Sequence, residues 1–193
     1  MIRNLITRAR SIRRFNQKNI IPLETLKGFI DVARLTPSGK NLQPLKYALT
    51  NNRDLNNQVF HTLSWAGYLK DWHGPEEGER PSAYVVMLCD TTIAENADVD
   101  SGIAAQTIML SAAEAGYGGC IMRSIDREKL AAILQLPAHL QIIQIIALGQ
   151  PAEKVVLEEA REGNIYYWRD EEDMHHVPKR SLAEIVVFEK GNM

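Results

Sequence analysis

Residues Asp100 to Cys120 read DSGIAAQTIMLSAAEAGYGGC, and this stretch decides the kind of fold the chain takes. As far as Ala115 the pattern is helical and rich in alanine and other small side chains. Small residues let a helix approach its neighbours closely, so the pattern predicts a crowded, central helix. Gly116 is its natural stop, because glycine enters the left-handed backbone that ends helices. Gly116-Tyr117-Gly118-Gly119 invites a reading as a dinucleotide-binding fingerprint, which requires a strand before the glycines and a helix after them. Here the helix comes first and a strand, Tyr117 to Met122, follows. That reading fails on context, and no GKS or GKT marks a phosphate-binding loop either.

Working outward, Ala83 to Cys89 (AYVVMLC) and Gln141 to Leu148 (QIIQIIAL) are apolar runs of strand length, expected to be buried on both faces. Asp126 is placed to cap a helix through about Leu134, which Pro137 ends. Lys46 to Thr50 reads as a short strand. Asp54 to about Tyr68 reads as a helix, with Leu55, Val59, Leu63 and Ala66 on one side. Pro22 opens a further helix through Arg34, and Ile2 to about Ala9 forms a short one. Asp71 to Pro81 (DWHGPEEGERP) is polar and broken, an exposed loop expected to border a substrate entrance. From Gln150 the chain is charged and aromatic but weakly periodic. Helices interleaved with strands predict an α/β or α+β sheet with helices on its faces, built as one domain over residues 1–193.

The formal net charge of -2 argues against a general nucleic-acid binder. No run approaches the length of a membrane span, and Met1 to Ile6 lacks a signal peptide's apolar core, so a cytoplasmic location is expected. Cys89 and Cys120 lie in apolar surroundings, as buried free thiols do. Adjacent histidines rarely serve one metal, so His175-His176, near Glu171, Glu172 and Asp173, is expected in a solvated loop. No Ser or Cys nucleophile arrangement appears. An enzyme of this sequence therefore relies on a cofactor for its hard step.

The residues that suit an anionic cofactor are basic. Arg8, Arg10, Arg13 and Arg14 flank Ser11 near the N-terminus, and Lys179-Arg180 follows Pro178 near the other end. Arginine forks bind phosphate bidentately, and a serine hydroxyl adds a short donor.

Together these motifs resemble the FMN-dependent nitroreductase family. Arg10-Ser11-Ile12-Arg13-Arg14-Phe15 is similar to its N-terminal RSIRxF element, and Pro37-Ser38-Gly39-Lys40-Asn41-Leu42-Gln43-Pro44 to its PSxxNxQPW loop. Asp100 to Cys120 resembles its central helix with the GLGxC turn, and Pro178-Lys179-Arg180 its C-terminal basic element. The resemblance implies an α+β fold: a central mixed sheet flanked by helices, in an intertwined homodimer with two FMN sites shared between subunits. Arg10 and Ser11 would contact the phosphate and ribityl end, with Lys179 and Arg180 closing on the phosphate. Arg13 would reach the pyrimidine edge. Pro37, Ser38, Gly39 and Asn41 would come from the partner subunit, and the backbone of Met122-Arg123-Ser124 would lie beside flavin N5.

The implied activity is two half-reactions at one site. NAD(P)H reduces the flavin, leaves, and is replaced by a quinone, a nitroaromatic or a similar electron-poor small molecule. The sequence departs from the family pattern at Ala9, where a basic residue is usual, at Leu45, where tryptophan is usual, and at Arg123-Ser124, often Glu-Gly. The flavin N3 contact has no counterpart around Trp65 to Tyr68. Trp65, Tyr68 and Trp72 are candidate stacking surfaces. A non-catalytic flavin store or sensor, and an anion-binding module without flavin, are the alternatives.

Overall fold

The computed structural model describes residues 2–191. The elements run α1 (Ile2–Arg8), β1 (Phe15–Asn16), α2 (Leu23–Ala33), β2 (Leu45–Thr50), α3 (Arg53–Phe60), β3 (Ala83–Asp90) and α4 (Asp98–Glu114). Then follow β4 (Gly118–Met122), α5 (Arg127–Leu134), β5 (Leu140–Pro151), β6 (Val155–Glu159), β7 (Trp168–Arg169), β8 (His175–Lys179) and α6 (Leu182–Ile185).

β5 is the spine of a five-stranded sheet ordered β1-β5-β3-β2, with β4 also paired to β5. The strand pairs of this sheet are antiparallel. A parallel bridge, Ser11 to Gly119, attaches the N-terminal segment to β4. Residues 83–89 of β3 and 142–149 of β5 are buried, as expected of two-sided apolar runs. Alternate side chains point to opposite faces. Val85 and Met87 therefore join α2 and α4 in one core layer, with Leu26, Phe29, Ile108 and Met109. Tyr84, Val86 and Leu88 join α3 and α5 in the other, with Val59, Cys120 and Leu130. This is the expected α+β architecture.

α4 is central because its small residues permit it. Ala104, Ala105, Ala112 and Ala113 are buried at 2% exposure or less, and α2 and α1 both pack on this helix. Gly116 ends it at φ +83°. Gly119 must be a glycine, since a Cβ there would stand 2.7 Å from Leu148 Cδ2 and 2.8 Å from the Ala147 carbonyl. Helix, turn and strand thus follow the order that ruled out the nucleotide fingerprint. Asp126 caps α5, accepting from the Lys129 N–H at 3.1 Å.

Two expectations are corrected. α3 stops at Phe60 and does not reach Tyr68. The Thr62 hydroxyl donates to the Val59 carbonyl at 2.7 Å, Leu63 bridges to Ile125, and Ala66 takes φ 38°. The local Thr62 bond and the long-range Leu63 bridge compete with helix continuation. The tail beyond Gln150, weakly periodic in sequence, forms a second sheet, β6-β8-β7. Its strands are two and five residues long, too short for alternation to register. Among the described residues no helix is long and apolar enough to cross a membrane.

Candidate functional site

Ser11 and Arg13 are placed by β4. The Ile12 N–H donates to the Gly119 carbonyl at 2.8 Å, which lays residues 11–13 along the start of that strand. The Cys120 thiol lies beneath them. Burial pushes its pKa up, while the Arg13 charge and the Ser11 hydroxyl oppose the rise. Cys89 and Cys120 are both buried and free, as expected.

Arg13 is 9% exposed. Its backbone N–H and that of Arg14 both donate to Glu153 Oε1, the latter at 3.2 Å. Glu153 in turn pairs with Arg169 at 2.9 Å in a nearly dry setting. The Arg13 guanidinium donates through Nη1 to His175 Nε2 at 3.1 Å and lies 4.7 Å from the Tyr167 ring centre. Among the described residues, no carboxylate lies within 4.0 Å of the guanidinium of Arg10 or Arg13, whereas Arg14 pairs with Glu79 and Asp173. Arg10 is half-buried, and burial lowers its pKa; its Nε donates to the Ala9 carbonyl at 3.0 Å. Arg8, one residue before Ala9, turns to a backbone carbonyl. It donates to the Ala113 carbonyl at 2.5 Å, at the C-terminal end of α4, where a cation complements the helix dipole.

A second group gathers at the first turn of α4. The Ser38 hydroxyl donates to Asp100 Oδ2, and the Gly39 N–H donates to Asp100 Oδ1 at 3.1 Å. Ser38 Oγ also accepts from the Gln43 N–H at 2.9 Å. Lys40, Asn41 and Gln43 take φ of 50°, 56° and 52°, so the loop is held in a conformation that non-glycine residues rarely adopt. Met122 is buried at the end of β4, and Arg123 beyond it pairs with Asp98 at 3.1 Å. The Ser124 carbonyl accepts from the Ser64 N–H at 3.0 Å. The Pro37–Asn41 loop and Arg123 thus both reach the first turn of α4, through Asp100 and Asp98. Ser11, bridged to Gly119, lies three residues back along β4 from Met122, about 10 Å by strand rise. Among the described residues, no hydrogen bond or ion pair joins Ser38, Gly39 or Asn41 to Arg10, Ser11 or Arg13.

Lys179 and Arg180 lie at the far end of β8. Arg180 is exposed and pairs with Glu184. Among the described residues no hydrogen bond or ion pair joins either to Arg10 or Ser11. Of the three candidate stacking aromatics, Trp65 is buried against Phe60 and Trp72. Tyr68 is 48% exposed and meets Tyr166 and Tyr167 at 4.7 and 4.8 Å between ring centres. A separate cavity of about 780 Å³ opens at Gln17, Asn56 and Tyr84; Glu77, Gly78, Arg80 and Pro81 of the 71–81 loop line it, and none of the expected flavin contacts does.

The expectation for His175-His176 is corrected in part. β8 runs between β6 and β7, and successive side chains of a strand point to opposite faces. His176 stacks on Trp168 at 4.1 Å and bonds Asp170 and Glu158. His175 turns inward, 1% exposed, against Arg13. Burial and the adjacent Arg13 charge lower its pKa to about 4, so it is neutral at physiological pH. Sequence reasoning also missed Asp100, Glu153 and Tyr167. None carried a motif; each is recognisable only through its long-range partner.

The donor set fits a flavin phosphate and pyrimidine edge. Two arginines without carboxylate partners and a serine hydroxyl lie along one strand, and a second loop offers a serine and a backbone N–H. The sequence matches the model of the nitroreductase family over residues 6–71 and 81–150. It is 26% identical over 151 residues to a Methanothermobacter thermautotrophicus protein provisionally named NADH dehydrogenase/NAD(P)H nitroreductase, covering 75% of this chain and 74% of the other. It is 24% identical over 168 residues to an iodotyrosine deiodinase of Thermotoga neapolitana, covering 78% and 89%. In fold it is similar to a nitroreductase-like protein of Streptococcus mutans, with a TM-score of 0.70, 16% identity and 98% of both chains covered.

Proposed function

The chain belongs to the nitroreductase family of oxidoreductases, and we propose that it is an FMN-dependent NAD(P)H oxidoreductase working as a homodimer. The observation that carries this reading is the buried Arg13 guanidinium, which has no carboxylate at salt-bridge distance. A buried cation without a counter-charge is costly, and an electron-rich ligand edge at that position offsets the cost. Bound FMN would supply hydride transfer between a nicotinamide donor and an electron-poor acceptor such as a quinone or nitroaromatic.

The chain's own groups then divide the work. Arg10 and Ser11 would hold the phosphate and ribityl end, with Lys179 and Arg180 closing on the phosphate. Arg13 would place a fixed positive charge at the pyrimidine edge, where preorganised charge is worth most. The backbone of Met122, Arg123 and Ser124 would flank the redox-active edge. Pro37, Ser38, Gly39 and Asn41 would serve the site of the partner subunit, as the family resemblance implies and as the lack of any bond from them to Arg10 or Ser11 allows. Pairing of two copies brings the two groups onto one ligand.

The test is the cofactor content of the purified protein. One FMN per chain on a dimer is expected; colourless protein that takes up no added FMN would overturn the reading. FMN bound without reduction by NAD(P)H would favour a store or sensor.

A further inference from the structure

His175 comes from a part of the chain that the family model does not match, which ends at residue 150. So do Tyr167, Glu153 and its partner Arg169; His175, Tyr167 and Glu153 contact Arg13, the most buried arginine of the candidate site. We propose that His175 is a positioning residue for Arg13, fixing by an accepted hydrogen bond where the guanidinium charge stands beside the flavin. The proposal rests on the FMN reading for its consequence, but its geometry does not.

An arginine only donates, so the 3.1 Å contact to Arg13 Nη1 requires an unprotonated His175 Nε2. The ring proton is then on Nδ1, which is buried and has no partner. The ring is pinned from several sides. β6 pairs Val155 with His175, and β7 pairs Arg169 with it. The His175 N–H donates to the Lys154 carbonyl at 2.9 Å, and the Tyr167 ring stands 5.3 Å away. The charged groups acting on it are Arg13, Glu153, Arg169 and, from the opposite face of β8, His176. Two of these charges are arginines, so a proton on Nε2 is disfavoured and the acceptor state is kept. Tyr167 covers the guanidinium from its ring face, as cation–π contacts do. Glu153 anchors the backbone of the same residue. Arg13 is therefore held at backbone, edge and face by one C-terminal segment, and its charge does not wander when a ligand arrives.

Two readouts test this. In flavin-free protein, nitrogen NMR of His175 should show an unprotonated Nε2 at neutral pH, and Arg13→Ala should raise its titration toward the ordinary histidine value. An unchanged titration would overturn the contact. In the holoenzyme, His175→Phe keeps an aromatic ring but removes the acceptor, whereas His175→Gln keeps one. In His175→Phe the ratio of reduced to oxidised flavin at a fixed potential should fall about tenfold, roughly a 30 mV shift for a two-electron couple. His175→Gln should restore most of it. A folded His175→Phe protein with the wild-type flavin potential would overturn the positioning role. Wild-type protein without flavin would instead refute the cofactor reading, and the NMR result would still judge the contact.

Discussion

The carboxylate of Asp100 accepts from the Ser38 hydroxyl on one oxygen and from the Gly39 N–H, at 3.1 Å, on the other. A residue at the first turn of the central helix thereby sets the shape of a loop sixty residues earlier. The loop needs that support, because Lys40, Asn41 and Gln43 all sit at positive φ. Asp100→Ala should cost about 1–2 kcal/mol and open the loop. Limited proteolysis should then cut within residues 37–43, a cleavage the parent resists. Equal resistance in parent and variant would contradict the role given to Asp100.

Arg13 and Arg10 should fail differently. Arg13→Ala should slow flavin reduction by on the order of 10²-fold, the scale seen when one preorganised electrostatic donor is lost. It should weaken FMN retention less. Arg10→Ala and Lys179→Ala should each loosen FMN by about tenfold or more, as loss of a charge-assisted phosphate contact does. Stopped-flow reduction alongside FMN titration separates the two patterns. Full flavin occupancy in the Arg10→Ala/Lys179→Ala double variant would refute the phosphate assignment.

Glu153 is a buried anchor. It pairs with Arg169 and receives two backbone N–H groups. Glu153→Ala leaves the Arg169 guanidinium buried and uncompensated, which should cost about 3 kcal/mol. Glu153→Gln, which still accepts hydrogen bonds, should cost less. Chemical denaturation measures both, and near-equal stability of Glu153→Ala and the parent would refute the anchor.

The two neighbouring histidines should pull stability in opposite directions with pH. His175 has a folded pKa lowered to about 4 by burial and the Arg13 charge. Its unfolded value is about 6.5. Its contribution is therefore complete above about pH 6.5 and is lost as pH falls toward 4, up to about 3 kcal/mol. His176 is raised, first by the Asp170 hydrogen bond and then by Glu158. Its contribution is present below about pH 6.5 and is lost as pH rises through its folded pKa. Denaturation curves at pH 7 and pH 4 should show His175→Gln losing less stability on acidification than the parent, and His176→Gln losing more. Parallel pH dependence in all three proteins would be inconsistent with these environments.

The fold was legible where patterns were long. Ala83 to Cys89 and Gln141 to Leu148 announced two-sided strands, and the alanine-rich stretch before Gly116 announced the central helix. α3 was overextended because the apolar spacing of Leu63 and Ala66 continues past Phe60, while the bonds that stop it, Thr62 to Val59 and Leu63 to Ile125, are partly tertiary. The second sheet was missed because its strands pair across distances that local periodicity does not encode.

Candidate site residues near each other in sequence, such as Arg10, Ser11 and Arg13, were recognisable as a donor group. Asp100, Glu153 and His175 were not, since each acts through a partner 60 to 160 positions away. His175 also shows the limit of reading a residue by its neighbours. Beside acidic, polar residues it looked solvated, yet the alternation of β8 turns it inward and its twin outward.

The most direct test of the central claim is anaerobic addition of NADH, and separately NADPH, to the purified protein while the flavin absorption band is followed. The account predicts an FMN band that bleaches rapidly with at least one donor and returns when a quinone or nitroaromatic is added. A protein with no flavin band after incubation with FMN, or one whose flavin stays oxidised with both donors, would contradict it.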